Sequence, residues 1–97
     1  MSLSNRQIRH LRGLTHQLRP VVIVGDRGLC DTVLAEIDSA LDHHELVKIK
    51  LRGDRETRAQ WAREIADRFA AEPVHAIGQT ACFFRRNPKK PVVELPI

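Results

Sequence analysis

The sequence predicts an α/β domain in which three helices and four strands follow the order α-β-α-β-α-β-β. Three segments carry apolar residues at the three- and four-residue spacing of an amphipathic helix. Four short runs are wholly apolar or alternate between apolar and polar residues, as strands do. Prolines and glycines separate these segments. The chain has 97 residues, which is enough for one domain and too few for two.

The first helix is predicted to begin at about Asn5, because Ser4 and Gln7 have the spacing of a capping box. It should end before Pro20. Its apolar stripe consists of Ile8, Leu11, Leu14 and Leu18. A basic stripe repeats on another side of the same helix and contains Arg9, Arg12, His16 and Arg19. The first helix is therefore amphipathic and basic.

Residues 21–24 form a β-branched apolar run between Pro20 and Gly25, which predicts a strand buried on both faces. Such a strand implies a sheet that helices cover. A second helix follows, with Asp31 and Thr32 as candidate caps near its start. The apolar stripe of the second helix is Val33, Leu34, Ile37, Ala40 and Leu41.

Residues 46–51 alternate, which predicts a strand with one apolar and one basic face. Val47, Ile49 and Leu51 share the apolar face, and Lys48, Lys50 and Arg52 share the basic face. Asp54 can cap a third helix, and Pro73 is predicted to stop it. The buried stripe of this helix is Trp61, Ala62, Ile65, Ala66 and Phe69. We interpret Trp61 as a core residue rather than a platform for stacking nucleotides.

Residues 74–77 and 81–85 are predicted to form a hairpin through the glycine-containing turn 78–80. Phe83 and Phe84 point to opposite faces, so one belongs to the core. The other is either exposed for base stacking or covered by a helix, and we favour the helix. In the segment that follows, residues 87–91 break the pattern. The apolar Val92, Val93 and Leu95 after them either dock on the domain or add an edge strand.

The charge of the chain is segregated. Sixteen Lys and Arg residues against twelve Asp and Glu give a net charge of +4, which favours polyanionic partners. Residues 1–25 contain four arginines and no acid, whereas residues 29–46 contain five acids and no Lys or Arg. This distribution is expected when one face must meet phosphates. We expect the N-terminal arginines to cluster beside the glycine loop described below.

Several classes of protein are disfavoured. No apolar run approaches the roughly 20 residues of a membrane-spanning helix, and the basic N-terminus lacks a signal-peptide core. We therefore expect a cytoplasmic protein without membrane contact, and a monomer. Cys30 and Cys82 are read as small, partly buried residues in a reducing compartment. The histidines, carboxylates and cysteines show neither metal-ligand spacing nor a nucleophile context, so no enzyme activity, metal or cofactor is predicted.

The strongest chemical signal is a G-x-x-G pair, Gly25 and Gly28, that follows a strand and precedes a helix. Glycines allow a tight turn and close approach of a ligand, and the helix N-terminus directs free N–H groups at it. Arg27 can add a charged contact. The longer patterns of nucleotide triphosphatases and dinucleotide-binding proteins are absent, so a phosphate backbone is the expected ligand. A turn that serves geometry alone is the alternative.

Residues 3–86 resemble the CRM (chloroplast RNA splicing and ribosome maturation) domain, and the single-domain layout is most similar to bacterial YhbY-like members. The resemblance is carried by five segments in the same order: Leu3 to Gln7, Leu18 to Val22, Val24 to Leu29, His44 to Lys50, and Ile77 to Thr80. It implies an α+β two-layer sandwich with a four-stranded mixed sheet, similar to the C-terminal domain of translation initiation factor three. It also implies RNA as ligand and association with precursors of the large ribosomal subunit.

We accordingly predict an RNA-binding domain at residues 3–86 and a basic, apolar C-terminal tail at residues 87–97. The predicted RNA-binding residues are Gly25, Asp26, Arg27, Gly28, Arg9, Arg12, Arg19, Lys48, Lys50, Arg85 and Arg86. Asp26 departs from the family pattern, in which this loop position is more often basic or neutral. The basic residues outside the loop could alternatively be solvated surface, with Lys48 and Lys50 on the solvent face of an edge strand.

Two other functions are less well supported by the sequence. A protein-interaction domain could dock an acidic partner through the basic face, with the glycines serving only the turn. DNA binding is disfavoured because the sequence contains neither a helix-turn-helix nor a zinc-finger signature.

Overall fold

A computed structural model describes residues 3–97 and has the predicted fold class and element order. The elements are α1 (Asn5–Thr15), β1 (Pro20–Val24), α2 (Asp31–His44), β2 (Leu46–Leu51), α3 (Arg55–Phe69), β3 (Glu72–Ile77) and β4 (Thr80–Phe84). Gly78 takes a positive φ of 54° in the turn that joins β3 to β4, which confirms the predicted glycine hairpin.

The four strands form one mixed sheet in the order β1-β2-β4-β3. β1 and β2 are parallel, and β4 is antiparallel to both β2 and β3. β1, β2 and β3 therefore all end at the same edge of the sheet, which we call the loop edge. We call the opposite edge, where these strands begin, the far edge. β2 lies inside the sheet, so Lys48 and Lys50 are not on an edge strand.

The main core lies between α2, α3 and one face of the sheet. The helices contribute the fully buried Ile37, Leu41 and Ile65, with Trp61 and Phe69 packed beside them. The sheet contributes Val22, Val24, Val47, Ile49, Leu51, Ala81 and Phe83. The buried stripe of α3 and the alternation of β2 predicted from sequence are confirmed, as is the stripe of α2 except for Leu34. The predicted stripe of α1 is confirmed only in part, because Leu14 is 37% exposed and Leu18 lies beyond the end of the helix.

The other face of the sheet is covered near the far edge by α1 and the end of the chain. This second cluster consists of the buried Leu3, Leu11, Leu46, Val74 and Phe84, with Ile8, Leu18, Val93 and Leu95 packed against it. Phe83 and Phe84 are both buried, as expected if a helix covers the second ring. The C-terminal segment therefore docks on the domain and does not add an edge strand to the sheet.

Burial of β1 on both faces is a prediction that the structure overturns. Val22 and Val24 are buried, but Val21 is 48% exposed and Ile23 is 51% exposed. β1 is one of the two edge strands of the sheet, and no helix lies over the face opposite α2 and α3 near the loop edge. An apolar β-branched run is compatible with a strand that is covered on both faces and with one that has an exposed face, so only the packing distinguishes the two cases.

The helix ends agree with the sequence in part. Ser4 and Gln7 form the capping box of α1, and Asp54 caps α3 by accepting a hydrogen bond from the Thr57 amide at 2.8 Å. The predicted cap of α2 is wrong, because the N-cap residue is Cys30, which makes no side-chain capping bond.

Pro73 does not stop α3 as predicted. The helix ends at Ala70, which adopts the left-handed conformation with φ of 50°. Pro73 lies inside β3, an edge strand, where a missing backbone N–H is tolerated.

Glu45 fastens the C-terminal segment to the domain. Its fully buried carboxylate accepts hydrogen bonds from the Arg86 guanidinium and from the backbone amides of Asn87, Val92 and Val93, the amide distances being 2.6 to 2.8 Å. Burial raises the pKa of Glu45, but these hydrogen bonds outweigh it and hold the pKa below its usual value. The carboxylate is therefore kept charged inside the fold.

Candidate nucleic-acid interface

Three loops meet at the loop edge: residues 25–30 after β1, residues 52–54 after β2 and residues 78–79 after β3. The Arg52 amide donates to the Val24 carbonyl at 2.8 Å, and the Leu51 amide donates to the Gln79 carbonyl at 2.6 Å. α2 and α3 both begin here, so two helix N-termini with their positive dipole ends lie side by side.

The G-x-x-G segment is a tight turn. The Gly28 amide donates to the Gly25 carbonyl at 2.9 Å and closes a four-residue β-turn. Asp26 and Arg27 occupy its two corners, and both side chains are exposed. The loop therefore presents its backbone and one charged pair to solvent.

The two glycines of this turn have different structural roles. Gly28 has a φ of 61°, and a Cβ there would lie 3.6 Å from Nε1 of Trp61, so backbone conformation explains the glycine. Gly25 does not take a positive φ, and a Cβ there would meet no atom within 4 Å. The fold gives no reason for glycine at position 25, whereas a closely approaching ligand would.

Trp61 lies beneath two of the three loops. A Cβ at Gly53 would lie 3.1 Å from the Trp61 ring, and the same ring underlies Gly28. The tryptophan is half-buried and packs on the main core, in agreement with its interpretation as a core residue. It fixes the two loops relative to each other.

Cationic side chains are concentrated at the loop edge. Arg27, Arg52 and Arg55 are exposed, and none of them forms an ion pair with another residue of the range 3–97. Arg58 is half-buried and donates to the Gly53 carbonyl at 2.8 Å. Arg55 and Arg58 are absent from the set predicted by sequence. Their position in the first turn of the helix after β2, equivalent to the start of α2 after β1, is a signal that could have identified them.

Acidic side chains also lie at the loop edge. Asp54 is engaged as the cap of α3, and its hydrogen bond from the Thr57 amide lowers its pKa. Asp31 is the first residue of α2, and Asp26 is in the turn itself.

Lys50 is the lysine of β2 that lies nearer the loop edge. It pairs with Ile23 of β1 and Thr80 of β4, directly before the loops. Lys48 pairs with Cys82 one row nearer the far edge. Of the two lysines predicted to contact RNA, Lys50 is therefore the one that lies nearer the Gly25–Gly28 turn.

The arginines of the N-terminal region do not cluster beside the loop, contrary to expectation. α1 starts near the far edge, where Leu3 packs in the same cluster as Phe84. Arg12 reaches the middle of β3, where its Nε donates to the Val74 carbonyl at 3.4 Å. Arg9 lies one turn earlier in α1, and Arg19 precedes β1 on the far-edge side. The chain folds these residues away from the turn because α1 crosses the opposite face of the sheet.

Arg85 and Arg86 are compensated within the chain. Arg85 pairs with Asp38 at 2.9 Å and with Asp42 at 2.8 Å, and Arg86 pairs with the buried Glu45 at 3.0 Å. Their role is to hold β4 to α2 and to the C-terminal segment. Unlike Arg27, Arg52 and Arg55, both arginines predicted to contact RNA at this position are therefore already paired with carboxylates of the chain.

The cysteines and the possible metal ligands of residues 3–97 form no second candidate site. Cys30 and Cys82 are free, and burial raises the pKa of the Cys82 thiol. No group of three or more His, Cys, Asp or Glu side chains arranged to hold a metal occurs within residues 3–97. Over the same range, none of the helices has the length and apolar character needed to span a bilayer.

Comparison with known proteins agrees with this architecture. The sequence profile of the CRS1 / YhbY (CRM) domain matches residues 3–85. A Haemophilus influenzae protein named as an RNA-binding protein is 42% identical, with 98% of this chain and 96% of that protein covered. A probable RNA-binding protein of Pseudomonas aeruginosa is 38% identical over 92% of this chain and 86% of its own length.

A third relative, from Bacillus subtilis, is also named as a probable RNA-binding protein. It is 30% identical, with 97% of this chain and 99% of that protein covered. The solution structure of a hypothetical Staphylococcus aureus protein superposes with a TM-score of 0.83 at 26% identity, covering 98% of this chain and all of the other.

Proposed function

The chain belongs to the CRS1/YhbY (CRM) domain family, and we propose that it binds RNA through the Gly25–Gly28 turn and the cations at the loop edge. We further propose that this RNA is ribosomal RNA in precursors of the large subunit, whose assembly the protein assists in the cytoplasm. The names of its relatives support RNA as the ligand. The ribosomal target follows from the resemblance to single-domain bacterial members.

The observation that carries the proposal is Gly25. Its backbone conformation does not demand glycine, and the space next to its Cα is open. A glycine without an internal reason, inside a turn at two helix N-termini, is what close contact with a phosphate backbone requires.

The electrostatics of the loop edge support the same ligand. Arg27, Arg52 and Arg55 are exposed and free to bind phosphate, and guanidinium groups can do so with two parallel hydrogen bonds. Because each neutralised phosphate releases counterions, the affinity for RNA should fall steeply as salt rises.

The loop assignment can be tested with a charge-matched pair of variants. Gly25→Asp places a Cβ and a negative charge at the turn, whereas Gln60→Glu adds the same charge on the exposed side of α3. We expect Gly25→Asp to lower affinity for a labelled single-stranded RNA by about tenfold or more, since it loses close approach and repels phosphate. Gln60→Glu should have little effect, and both variants should retain the unfolding midpoint of the parent chain.

Gly25→Ala separates the steric effect from the charge. It should weaken RNA binding less than Gly25→Asp and leave the fold unchanged. If Gly25→Asp is stable and binds RNA as well as the parent chain, the loop assignment is wrong.

The ribosomal target is tested by sedimentation of the tagged protein from gently lysed cells. Comigration with large-subunit or precursor particles at low salt, lost at high salt and in Gly25→Asp, is the expected result. Nuclease treatment should release the protein from these particles. A protein that stays at the top of the gradient at low salt would contradict the ribosomal target, and an association that survives removal of RNA would indicate a protein partner.

A further inference from the structure

The face of the sheet opposite α2 and α3, which we call the outer face, is covered by a helix only near the far edge. α1 ends above the row formed by Lys48, Cys82 and His75 on neighbouring strands. Cys82 is buried there, and the His16 ring lies 6.2 Å from the ring of His75. The next row toward the loop edge lies beyond the end of α1.

This next row crosses all four strands. Ile23 pairs with Lys50, Lys50 pairs with Thr80, and Thr80 pairs with Ile77. We call these four residues the open strip. With strands about 4.8 Å apart, the strip is about 14 Å long. It adjoins the Gly25–Gly28 turn, since Ile23 is two residues before Gly25.

The open strip exposes two large aliphatic side chains to solvent. Ile23 is 51% exposed and Ile77 is 66% exposed, and Val21, beside the strip on β1, is 48% exposed. These three account for half of the six large hydrophobic side chains that are exposed in residues 3–97. Lys50 lies between the two isoleucines, and the strip contains no carboxylate.

We propose that the open strip binds the unpaired bases of the RNA strand whose backbone lies on the Gly25–Gly28 turn. This inference rests on the proposed function and adds that the RNA is single-stranded at this point. Aliphatic side chains on a flat sheet can contact the faces of bases only when those bases are not paired. Lys50, which lies between the two isoleucines, supplies a cation for a neighbouring phosphate.

Charge and size favour RNA over a protein as the occupant. A lysine without a neighbouring acid in the strip is complementary to a polyanion. A standard protein interface buries about 800 Å² on each partner, which four side chains do not provide. An RNA strand already held at the adjacent turn does not need such a large buried surface on the strip, because the loop contacts contribute to the same binding event.

The test uses the double variant Ile23→Thr/Ile77→Thr, in which β-branched residues preserve the strand preference. Val92→Thr, at a 57% exposed position outside the strip, is the matched control. Binding of labelled oligouridine and of a labelled RNA duplex is measured by fluorescence anisotropy over a range of salt concentrations. Unfolding midpoints and sedimentation equilibrium verify the fold and the oligomeric state.

We expect the double variant to lose about tenfold in affinity for oligouridine while its affinity for the duplex and its salt dependence stay unchanged. Lys50→Gln should reduce the salt dependence, because it removes one phosphate contact. Val92→Thr should match the parent chain in every measurement.

The two proposals fail in distinguishable ways. If the double variant binds oligouridine within about twofold of the parent while Gly25→Asp is impaired, the strip does not bind bases and the loop assignment stands. If the parent chain binds neither RNA, both proposals are wrong. If the parent dimerises and the double variant does not, a second copy occupies the strip and the base-binding inference is overturned.

Discussion

The two corner residues of the Gly25–Gly28 turn have opposite charges. Arg27 can attract a phosphate, whereas Asp26, exposed beside it, repels the same group. In the proposed RNA complex, we therefore expect part of the attraction for phosphate to come from Arg52 in the neighbouring loop and Arg55 at the start of α3.

Removing the acid should strengthen binding. Asp26→Asn keeps the size and turn preference of the side chain. We expect affinity for single-stranded RNA to rise about threefold at low salt and less at high salt, because an exposed charge is screened. Fluorescence anisotropy at two salt concentrations measures this. Unchanged affinity at low salt would show that the bound phosphates lie away from this corner.

Glu45 gives the fold a defined response to acid. Its pKa in the folded chain lies below the ordinary value of 4.5, so the unfolded chain binds its proton more readily. The stabilisation is complete above pH 4.5 and is lost as the pH falls through the lower, folded value.

Glu45→Gln tests this contribution. We expect it to destabilise the chain by about 2 kcal/mol at neutral pH, since several donors lose a charged acceptor, and to flatten the loss of stability in acid. Glu36→Gln, at an exposed position of α2, is the control. Chemical unfolding at several pH values measures both, and an unchanged acid profile would contradict the role of Glu45.

Among the helices and strands, the end of α3 carries local strain. Ala70 adopts a left-handed conformation that an L-residue with a Cβ disfavours and that glycine adopts freely. Ala70 is exposed, so replacing it removes no buried contact.

Ala70→Gly should therefore stabilise the protein by about 0.5 to 1 kcal/mol. Ala35→Gly, in the exposed interior of α2, should destabilise it by about 1 kcal/mol, because glycine is a poor helix former. Urea unfolding of the two variants distinguishes a conformational effect from a general effect of glycine. If both variants lose stability, the strain argument fails.

On the scale of the whole molecule, the C-terminal segment is bonded to the domain. Val93 and Leu95 complete the cluster between α1 and the sheet, and the Gln7 side chain donates to the Pro96 carbonyl at 3.0 Å. We propose that residues 3–97 unfold as one unit and that the segment after residue 86 is not a detachable tail.

Deletion of residues 87–97 should lower the free energy of unfolding by about 3 kcal/mol or more. The second cluster loses two large apolar side chains, and Glu45 loses its backbone donors. Thermal and chemical unfolding of the truncated chain measure the loss. An unchanged midpoint would favour the division at residue 86 suggested by the sequence.

Several features that depend only on neighbouring residues can be predicted from the sequence alone. The Ser4–Gln7 capping box, the Asp54 cap, the alternation of β2 and the tight Gly25–Gly28 turn are all present. Each of these signals involves residues only a few positions apart, so the local sequence is sufficient to specify it. The order of elements follows, and with it the position of the turn between β1 and α2.

Which faces are covered and which charges are free depends instead on how distant segments pack together. Val21 and Ile23 are exposed because α1 does not extend over that face of β1 near the loop edge. Arg85 meets Asp38 and Asp42, more than 40 residues earlier in the chain. Burial of a face and compensation of a charge depend on distant segments that the fold brings together, and no local pattern specifies them.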